Sequence, residues 1–318
     1  MAATRQTAGS NVLDVALIGA PCDVAAGMPG SRLGPGAIRI AGLMHRLRGL
    51  GHNVHEYGDL AGPATPERPP EHGYRHLEET VAWSRAIHDG VHDALLRGEF
   101  PLLLGGDHSI SIGSVAAVAR YCAQREVPLS VLWLDAHADF NTAETSPSGN
   151  IHGMPVATMC GAGHSELLGI GHASPMVEPT RIFQVGVRSV DTVERETVID
   201  SGVVIHDMRR IDENGMRVTM EQVLERIAGI GGHLHVSFDA DFVDPEIAPG
   251  VGTPVPGGPN YREAQLCMEM IHDSGLAGSL DVVEVNPALD EQNRTARLAV
   301  ELVASLFGER ILARVVEP

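Results

Sequence analysis

Two short segments concentrate side chains that bind metal ions. Asp135-Ala136-His137-Ala138-Asp139 sets two carboxylates and an imidazole at alternate positions, and Asp239-Ala240-Asp241 repeats the spacing with two more carboxylates. In extended backbone, residues i, i+2 and i+4 share a face, so Asp135, His137 and Asp139 can project together, as can Asp239 and Asp241. His108, after Gly105-Gly106-Asp107, is a sixth ligand-type side chain, and Glu284 stands ahead of Val285-Asn286-Pro287. Four carboxylates in one crevice repel unless cations neutralise them, and a pair of divalent ions supplies the matching charge. An oxygen-rich set with two imidazoles suits Mn²⁺, while Zn²⁺, Co²⁺, Ni²⁺ and Fe²⁺ are also compatible. Paired ions of this kind turn a bridging water into hydroxide at modest pH, a nucleophile for inert carbon centres.

Each polar cluster directly follows an apolar run. The β-branched and apolar patterning predicts strands at 12–18, 53–57, 101–104, 129–134, 181–185, 203–206, 233–238 and 280–285. Between them, apolar spacings of three and four predict helices over 37–50, 77–97, 113–124, 219–230 and 261–274. Alternation of this kind defines an α/β fold: a doubly wound parallel sheet of about eight strands with helices on both faces. In such sheets ligands bind outside the carboxyl ends of the strands, so the clusters are expected to converge on one crevice. Segments 61–75 and 161–180 read as surface loops, and with no repeat or low-complexity linker, residues 1–318 are expected to form one domain. Gly105-Gly106 lacks the spacing and Lys of a phosphate loop and reads as a pair of tight-turn glycines. His88 and His92 have helical i, i+4 spacing without nearby acids and read as a solvated helix face; His233 and His235 read as packing or hydrogen-bonding residues.

Composition narrows the partners. With 23 Lys+Arg against 41 Asp+Glu the formal net charge is −18, which argues against nucleic acid or an anionic membrane surface and fits a cationic substrate. The four cysteines, Cys22, Cys122, Cys160 and Cys267, are scattered without a CxxC pair. Segment 1–11 is polar, and the apolar run after it is too short for a signal peptide, so a cytoplasmic protein is expected.

The chain resembles the arginase family of manganese-dependent ureohydrolases. The motifs that carry the resemblance are Gly34-Pro35-Gly36-Ala37-Ile38-Arg39, Gly105-Gly106-Asp107-His108-Ser109, Asp135-Ala136-His137-Ala138-Asp139, Ser148-Gly149-Asn150-Ile151-His152-Gly153, Ser237-Phe238-Asp239-Ala240-Asp241-Phe242, Gly252-Thr253-Pro254 and Glu284-Val285-Asn286-Pro287. They span nearly the whole chain, and the stretch from Thr145 to Pro155 is most similar to the bacterial, hexameric branch. The resemblance implies two Mn²⁺ per subunit: one held by His108, Asp135, Asp139 and Asp239, the other by His137, Asp135, Asp239 and Asp241. It further implies that Glu284 receives the substrate guanidinium with Thr253 close by, that His152 shuttles a proton, and that Asp139 carries a proton to the leaving nitrogen. Asn141, Ser148, Asn150 and Asp191 would read the amino-acid head group. Ser146 and Pro147 depart from the family pattern, where threonines are common.

The activity so implied is hydrolysis of L-arginine to L-ornithine and urea, in a homo-oligomer, trimer or hexamer. Two alternatives are an agmatinase or guanidinobutyrase using the same metals on a different tail, and a non-catalytic scaffold held by metal. Asn141 with Ser148-Gly149-Asn150 disfavours the first. Glu284 and His152 disfavour the second, since a structural site needs neither.

Overall fold

The structure, a computed structural model, describes residues 12–171 and 173–312. The polar segment 1–11, expected to carry no signal peptide, lies outside them. Among the described residues eight strands are present: β1 (Asp14–Ala20), β2 (Asn53–Asp59), β3 (Phe100–Gly105), β4 (Leu129–Leu134), β5 (Ile182–Val187), β6 (Val204–Asp207), β7 (His233–Asp239) and β8 (Ala277–Val283). They pair in parallel throughout as one sheet in the order β2-β1-β3-β8-β7-β4-β5-β6. Every expected strand is found, shifted by at most three residues at either end. β3, β4 and β5 are buried along their whole length, as strands covered on both faces must be, whereas β2 at one edge carries exposed polar residues.

Two apolar layers cover the sheet. Along β1, Val15 and Leu17 enter one layer and Ala16 and Ile18 the other, the period-2 signature of a strand. Helices Gly34–Ile40, Leu43–Gly49, Met208–Ile230, Tyr261–Ser274 and Arg294–Leu306 pack the first layer, and Leu77–Leu96, Ile110–Gln124 and Pro155–Met159 the second. The expected helix over 37–50 is broken by Gly42, whose φ of 93° is left-handed. The expected helix over 219–230 is preceded by a further helical stretch, and Gly215 (φ 81°) interrupts the two. Helices Pro155–Met159, Ser165–Leu168, Thr192–Ser201 and Arg294–Leu306 lie outside the helical stretches expected from the spacing. The stacked rings of His88 and His92 lie buried, their centroids 5.7 Å apart, on the helix that packs against Ile110–Gln124. The solvated face expected for them is therefore corrected: the pair belongs to the helix–helix contact, and burial together with Arg120 lowers the His92 pKa. Among the described residues, no helix is long and apolar enough to cross a membrane.

The order places β3, β8, β7 and β4 side by side, and these four strands end at the residues singled out for chemistry. Gly106 shows how tightly the ends are tied. Its N–H donates to Ala20 at 3.0 Å, its carbonyl accepts from Glu284 N at 2.8 Å, and a Cβ would stand 1.6 Å from the Cys22 carbonyl oxygen. Neither Gly105 nor Gly106 has a positive φ, so close backbone approach, rather than a tight turn, is the reason for glycine here. Gly106→Ala is expected to destabilise the fold by about 3 kcal/mol, the cost of overpacking against rigid backbone. A lower urea midpoint at constant m-value is the expected result; an unchanged midpoint would contradict the close approach.

Candidate metal centre and active site

The ligand-type residues are gathered by turns, not by continued strand. β4 stops at Leu134 and β7 at Asp239, so the expected alternation in extended backbone does not hold beyond these points. Instead Asp135 Oδ1 accepts the His137 N–H at 2.7 Å and Asp239 Oδ1 accepts the Asp241 N–H at 2.7 Å. Each aspartate thus folds the chain back two residues on, bringing the next side chain to the same place. Asp107 does likewise with the Ser109 N–H at 3.0 Å, setting His108 at the end of β3. Two members hold left-handed backbone, Asp139 at φ 48° and Glu284 at φ 60°, a conformation that costs energy for a side-chain-bearing residue and recurs at functional sites.

His108 Nδ1 faces three carboxylate oxygens: Asp135 Oδ2 at 3.0 Å, Asp239 Oδ2 at 3.0 Å and Asp139 Oδ2 at 3.2 Å. It is buried and makes no hydrogen bond to any of them. Such an orphaned nitrogen amid converging oxygens is the arrangement that a cation satisfies. Beside it, His137 Nδ1 lies 3.2 Å from Asp241 Oδ2 and 3.5 Å from Asp135 Oδ1. Two donor groups result, His108 with Asp135 and Asp239, and His137 with Asp135 and Asp241, sharing Asp135. Trp133 holds the shared residue by donating Nε1–H to Asp135 Oδ2 at 2.9 Å, and its ring stacks on His108 with centroids 4.0 Å apart.

Proton affinities record the crowding. Burial pushes Asp139 up to about 6, with the charge of Asp135 adding to it, and burial with Asp241 and Asp135 raises Asp239. Burial and Asp135 raise Asp241 as well, whereas the two histidines outweigh burial at Asp135 and lower it. Burial alone would lower His108 and His137, but the surrounding carboxylates raise both, His137 to about 12. The four aspartates cannot all be charged together without added positive charge.

Above this floor lies a cavity of about 130 Å³ lined by His108, His137, Asp139, Asn141, Ser146, Ser148, Asn150, His152, Ser189, Asp191, Glu194, Asp239, Thr253 and Glu284. Asp135 and Asp241 do not line it; every other expected site residue does. His152 Nδ1 is 2.9 Å from Glu284 Oε1, which also accepts the His108 N–H at 2.9 Å. Burial disfavours the charged imidazole, yet Glu284 raises His152 to about 9. Thr253 Oγ1 donates to Asp241 Oδ2 at 3.0 Å. At the far side Asn141 Nδ2 donates to Asp191 Oδ2 at 3.0 Å, Ser148 Oγ accepts the Asn150 N–H at 3.2 Å, and Arg75 Nε donates to Asn150 Oδ1 at 2.7 Å. With that oxygen occupied, the Asn150 amide has its N–H donors left for a ligand.

The spacing of the strand-end clusters does not single out Glu194, Ser189 or Arg188. Glu194 is buried on the cavity wall, accepts N–H groups from Phe140 at 2.8 Å and Asp191 at 2.9 Å, and burial raises it to about 7. Its signal was the Asp-x-x-Glu spacing of a helix start at Asp191. Arg188 spreads its guanidinium over backbone carbonyls of Asp241 (2.7 Å), Val255 (2.8 Å) and Phe242 (3.0 Å), tying down the segment that carries Asp241 and Thr253. No local spacing announces that role.

An open parallel α/β sheet whose central strands end in paired Asp/His groups defines an enzyme class with a candidate binuclear metal site. A model of the arginase family matches residues 13–308. The arginase of Brucella melitensis is 46% identical over 299 residues, covering 94% of this chain and 97% of that protein. The native arginase structure from Bacillus caldovelox superposes with a TM-score of 0.88 at 40% identity, covering 95% of this chain and 100% of that one. An Entamoeba histolytica arginase in complex with L-ornithine gives 0.87 at 30% identity, covering 94% and 99%. The chain belongs to the arginase family.

The raised carboxylates and histidines must lose protons before a cation takes their place, so binding is expected to release protons and to tighten as pH rises through about 6. Titrating metal-free protein with Mn²⁺ in buffers of different ionisation enthalpy will measure the release, and the melting temperature should climb with Mn²⁺. A melting temperature indifferent to Mn²⁺, without proton release, would remove the cation from this floor.

Proposed function

We propose that the chain hydrolyses the guanidinium group of L-arginine to L-ornithine and urea. The observation that carries this reading is one cavity with an acidic, cation-demanding floor, the Glu284–His152 pair beside it and the Asn141–Asp191 pair opposite. One ion would be held by His108, Asp135, Asp139 and Asp239, the other by His137, Asp135, Asp239 and Asp241. Mn²⁺ is the ion best suited to this donor set. When bound, the ion pair neutralises the floor and acidifies water into a nucleophile.

The protein's own residues then have distinct tasks. Glu284 accepts the guanidinium N–H groups and orients the carbon over the floor, while Thr253 keeps Asp241 in place at that edge. A guanidinium on Glu284 displaces the His152 imidazolium from the charge that raises it. His152 is thereby made a stronger acid when substrate arrives, which suits a residue that passes a proton between solvent and the site. Asp139, on the floor beside His108 and within the cavity, would carry a proton to the departing amine. Asn141, Ser148 and Asn150 offer donors to the α-carboxylate, and Asp191, with Glu194 beside it, meets the α-ammonium. The acidic net charge favours approach of a cationic substrate. We further propose that the chain acts as one domain in a cytoplasmic homo-oligomer, trimer or hexamer; the four free cysteines accord with a reducing compartment, and the single continuous sheet with one domain.

Glu284→Gln keeps the shape and removes the charge. It is expected to lower turnover by ~10²-fold or more, because charge-assisted contacts are about twice as strong as neutral ones and also set the attack geometry. In the same variant the His152 pKa should fall from about 9 toward the ordinary histidine range, read by NMR titration of the ring. Near-normal kinetics would take Glu284 out of the site.

Agmatine lacks the carboxylate that Asn141 and Ser148 would meet. Asn141 is buried but Ser148 and Asp191 are exposed, so discrimination should fall short of a sealed hydrogen-bonding site, on the order of 10²–10³-fold in kcat/KM for arginine over agmatine. Urea release from arginine, agmatine and guanidinobutyrate measures it. Asp191→Ala should raise KM for arginine with metal content unchanged. Equal kcat/KM for arginine and agmatine would promote the agmatinase reading.

A further inference from the structure

Behind the candidate metal floor, on the side away from the cavity, polar side chains run through the interior where β7 and β8 meet the helix Ile110–Gln124. His235 and Ser237 on β7 lie beside Ser279 and Asp281 on β8, in the register pairs His235↔Ser279 and Ser237↔Asp281. Ser111 and Ser114 reach them from the helix, and Asp281 is 2% exposed. A buried carboxylate three residues before Glu284 has no part in the reaction as derived so far.

Asp281 Oδ2 receives the Ser111 hydroxyl at 2.9 Å, the Ser114 hydroxyl, and His235 Nε2 at 3.2 Å. A carboxylate only accepts, and a hydroxyl has a single proton, so the order of protons along the chain follows from this end. Ser111 donates to Asp281, and its oxygen is therefore left to accept from Ser237 Oγ, 3.2 Å away. Ser237, its proton spent on Ser111, accepts from His108 Nε2 at 2.8 Å. His108 then carries a proton on Nε2 and turns Nδ1 toward Asp135, Asp139 and Asp239. The far branch obeys the same rule. His235 Nε2–H donates to Asp281, its Nδ1 accepts from Ser279 at 2.9 Å, and Ser279 accepts from His233 Nε2 at 2.9 Å.

We infer that Asp281 is a positioning residue for the metal floor: acting through Ser111 and Ser237, it holds the His108 proton on Nε2 and so keeps Nδ1 directed at the cation position. Were the relay reversed, with a proton driven toward His108 Nε2 from Ser237, the ring would have to hold its own proton on Nδ1, where a cation must bind. Hydrogen-bonded partners behind a metal-binding histidine typically contribute 10–100-fold in metal affinity. The inference rests on the metal reading proposed above, and the test is arranged so that the two can fail separately.

Ser111→Ala cuts the relay while leaving Asp281 its contacts to Ser114 and His235; Asp281→Asn replaces the acceptor with a group that can also donate. Mn²⁺ titration of the metal-free variants, followed by electron paramagnetic resonance, should show the ion on the His108 side weakened 10–100-fold and the ion on the His137 side held as before. In ¹⁵N-histidine-labelled, metal-free protein the shielded His108 Nε2–H should give a slowly exchanging downfield resonance, whatever the state of Nδ1. Both variants should shift it or speed its exchange, which a loss of packing alone would not do selectively. If Asp281→Asn fails to fold, Ser111→Ala still decides the matter. Wild-type affinity for both ions with an unchanged Nε2–H resonance in Ser111→Ala would overturn the inference. If the wild type bound no Mn²⁺, the metal reading would fall, while loss of the resonance in Ser111→Ala would still support the relay.

Discussion

Negative charge that cannot be left alone is the constraint around which this molecule is arranged. Asp135, Asp139, Asp239 and Asp241 are withdrawn from water within reach of two imidazoles, and burial plus mutual repulsion raises three of them while the histidines lower the fourth. The parallel sheet makes the crowding possible by delivering four strand ends to one place. The Arg188 guanidinium, spread over carbonyls around Asp241, then holds one of the closing segments against the pull of the cluster.

The site divides into a stiff floor and a wetter rim. Floor residues stand at strand ends whose side chains lie in close-packed layers, and turns closed by their own carboxylates leave them little freedom. Rim residues come from the 141–150 segment and the start of the helix Thr192–Ser201, where Ser148 and Asp191 are exposed. In the proposed reaction, chemistry at the reacting carbon would need the tight geometry of the floor, whereas recognition of a charged head group at the rim can work through longer contacts and water. On that reading, substrate choice would be more readily altered from the rim than the reaction from the floor.

Glu284 and His152 connect the two levels. Their contact is 2.9 Å; in the proposed reaction a cationic substrate would take the place of His152 on Glu284, and the carboxylate's charge would pass from holding a proton to holding the guanidinium. The left-handed backbone of Glu284, anchored by its N–H on the Gly106 carbonyl, sets where that carboxylate stands. A glycine with no room for a Cβ and a glutamate in a strained conformation are two sides of the same close junction between β3 and β8.

Much of this was legible in the residues themselves. Eight apolar runs set strand number, and the polar clusters directly after them named the floor, because strand periodicity and the preference for ligands at strand ends are local properties. The helix Thr192–Ser201 was not legible: only Glu194 and Val198 on it are buried, so no apolar stripe marks it. Arg294–Leu306 does carry a stripe, with Leu298, Leu302 and Leu306 buried and Arg294 and Arg297 exposed, so its helical spacing is present in the residues although the expected helices omit it. His88 and His92 needed a neighbouring helix to show that their face is covered. Above all, which oxygens face which nitrogen, and how a serine on a helix comes to join Asp281 to His108, depend on strands and helices far apart in the chain being brought into register. Composition and spacing decided what chemistry was available; packing across the sheet decided its geometry, because contacts between distant residues exist only once the layers close.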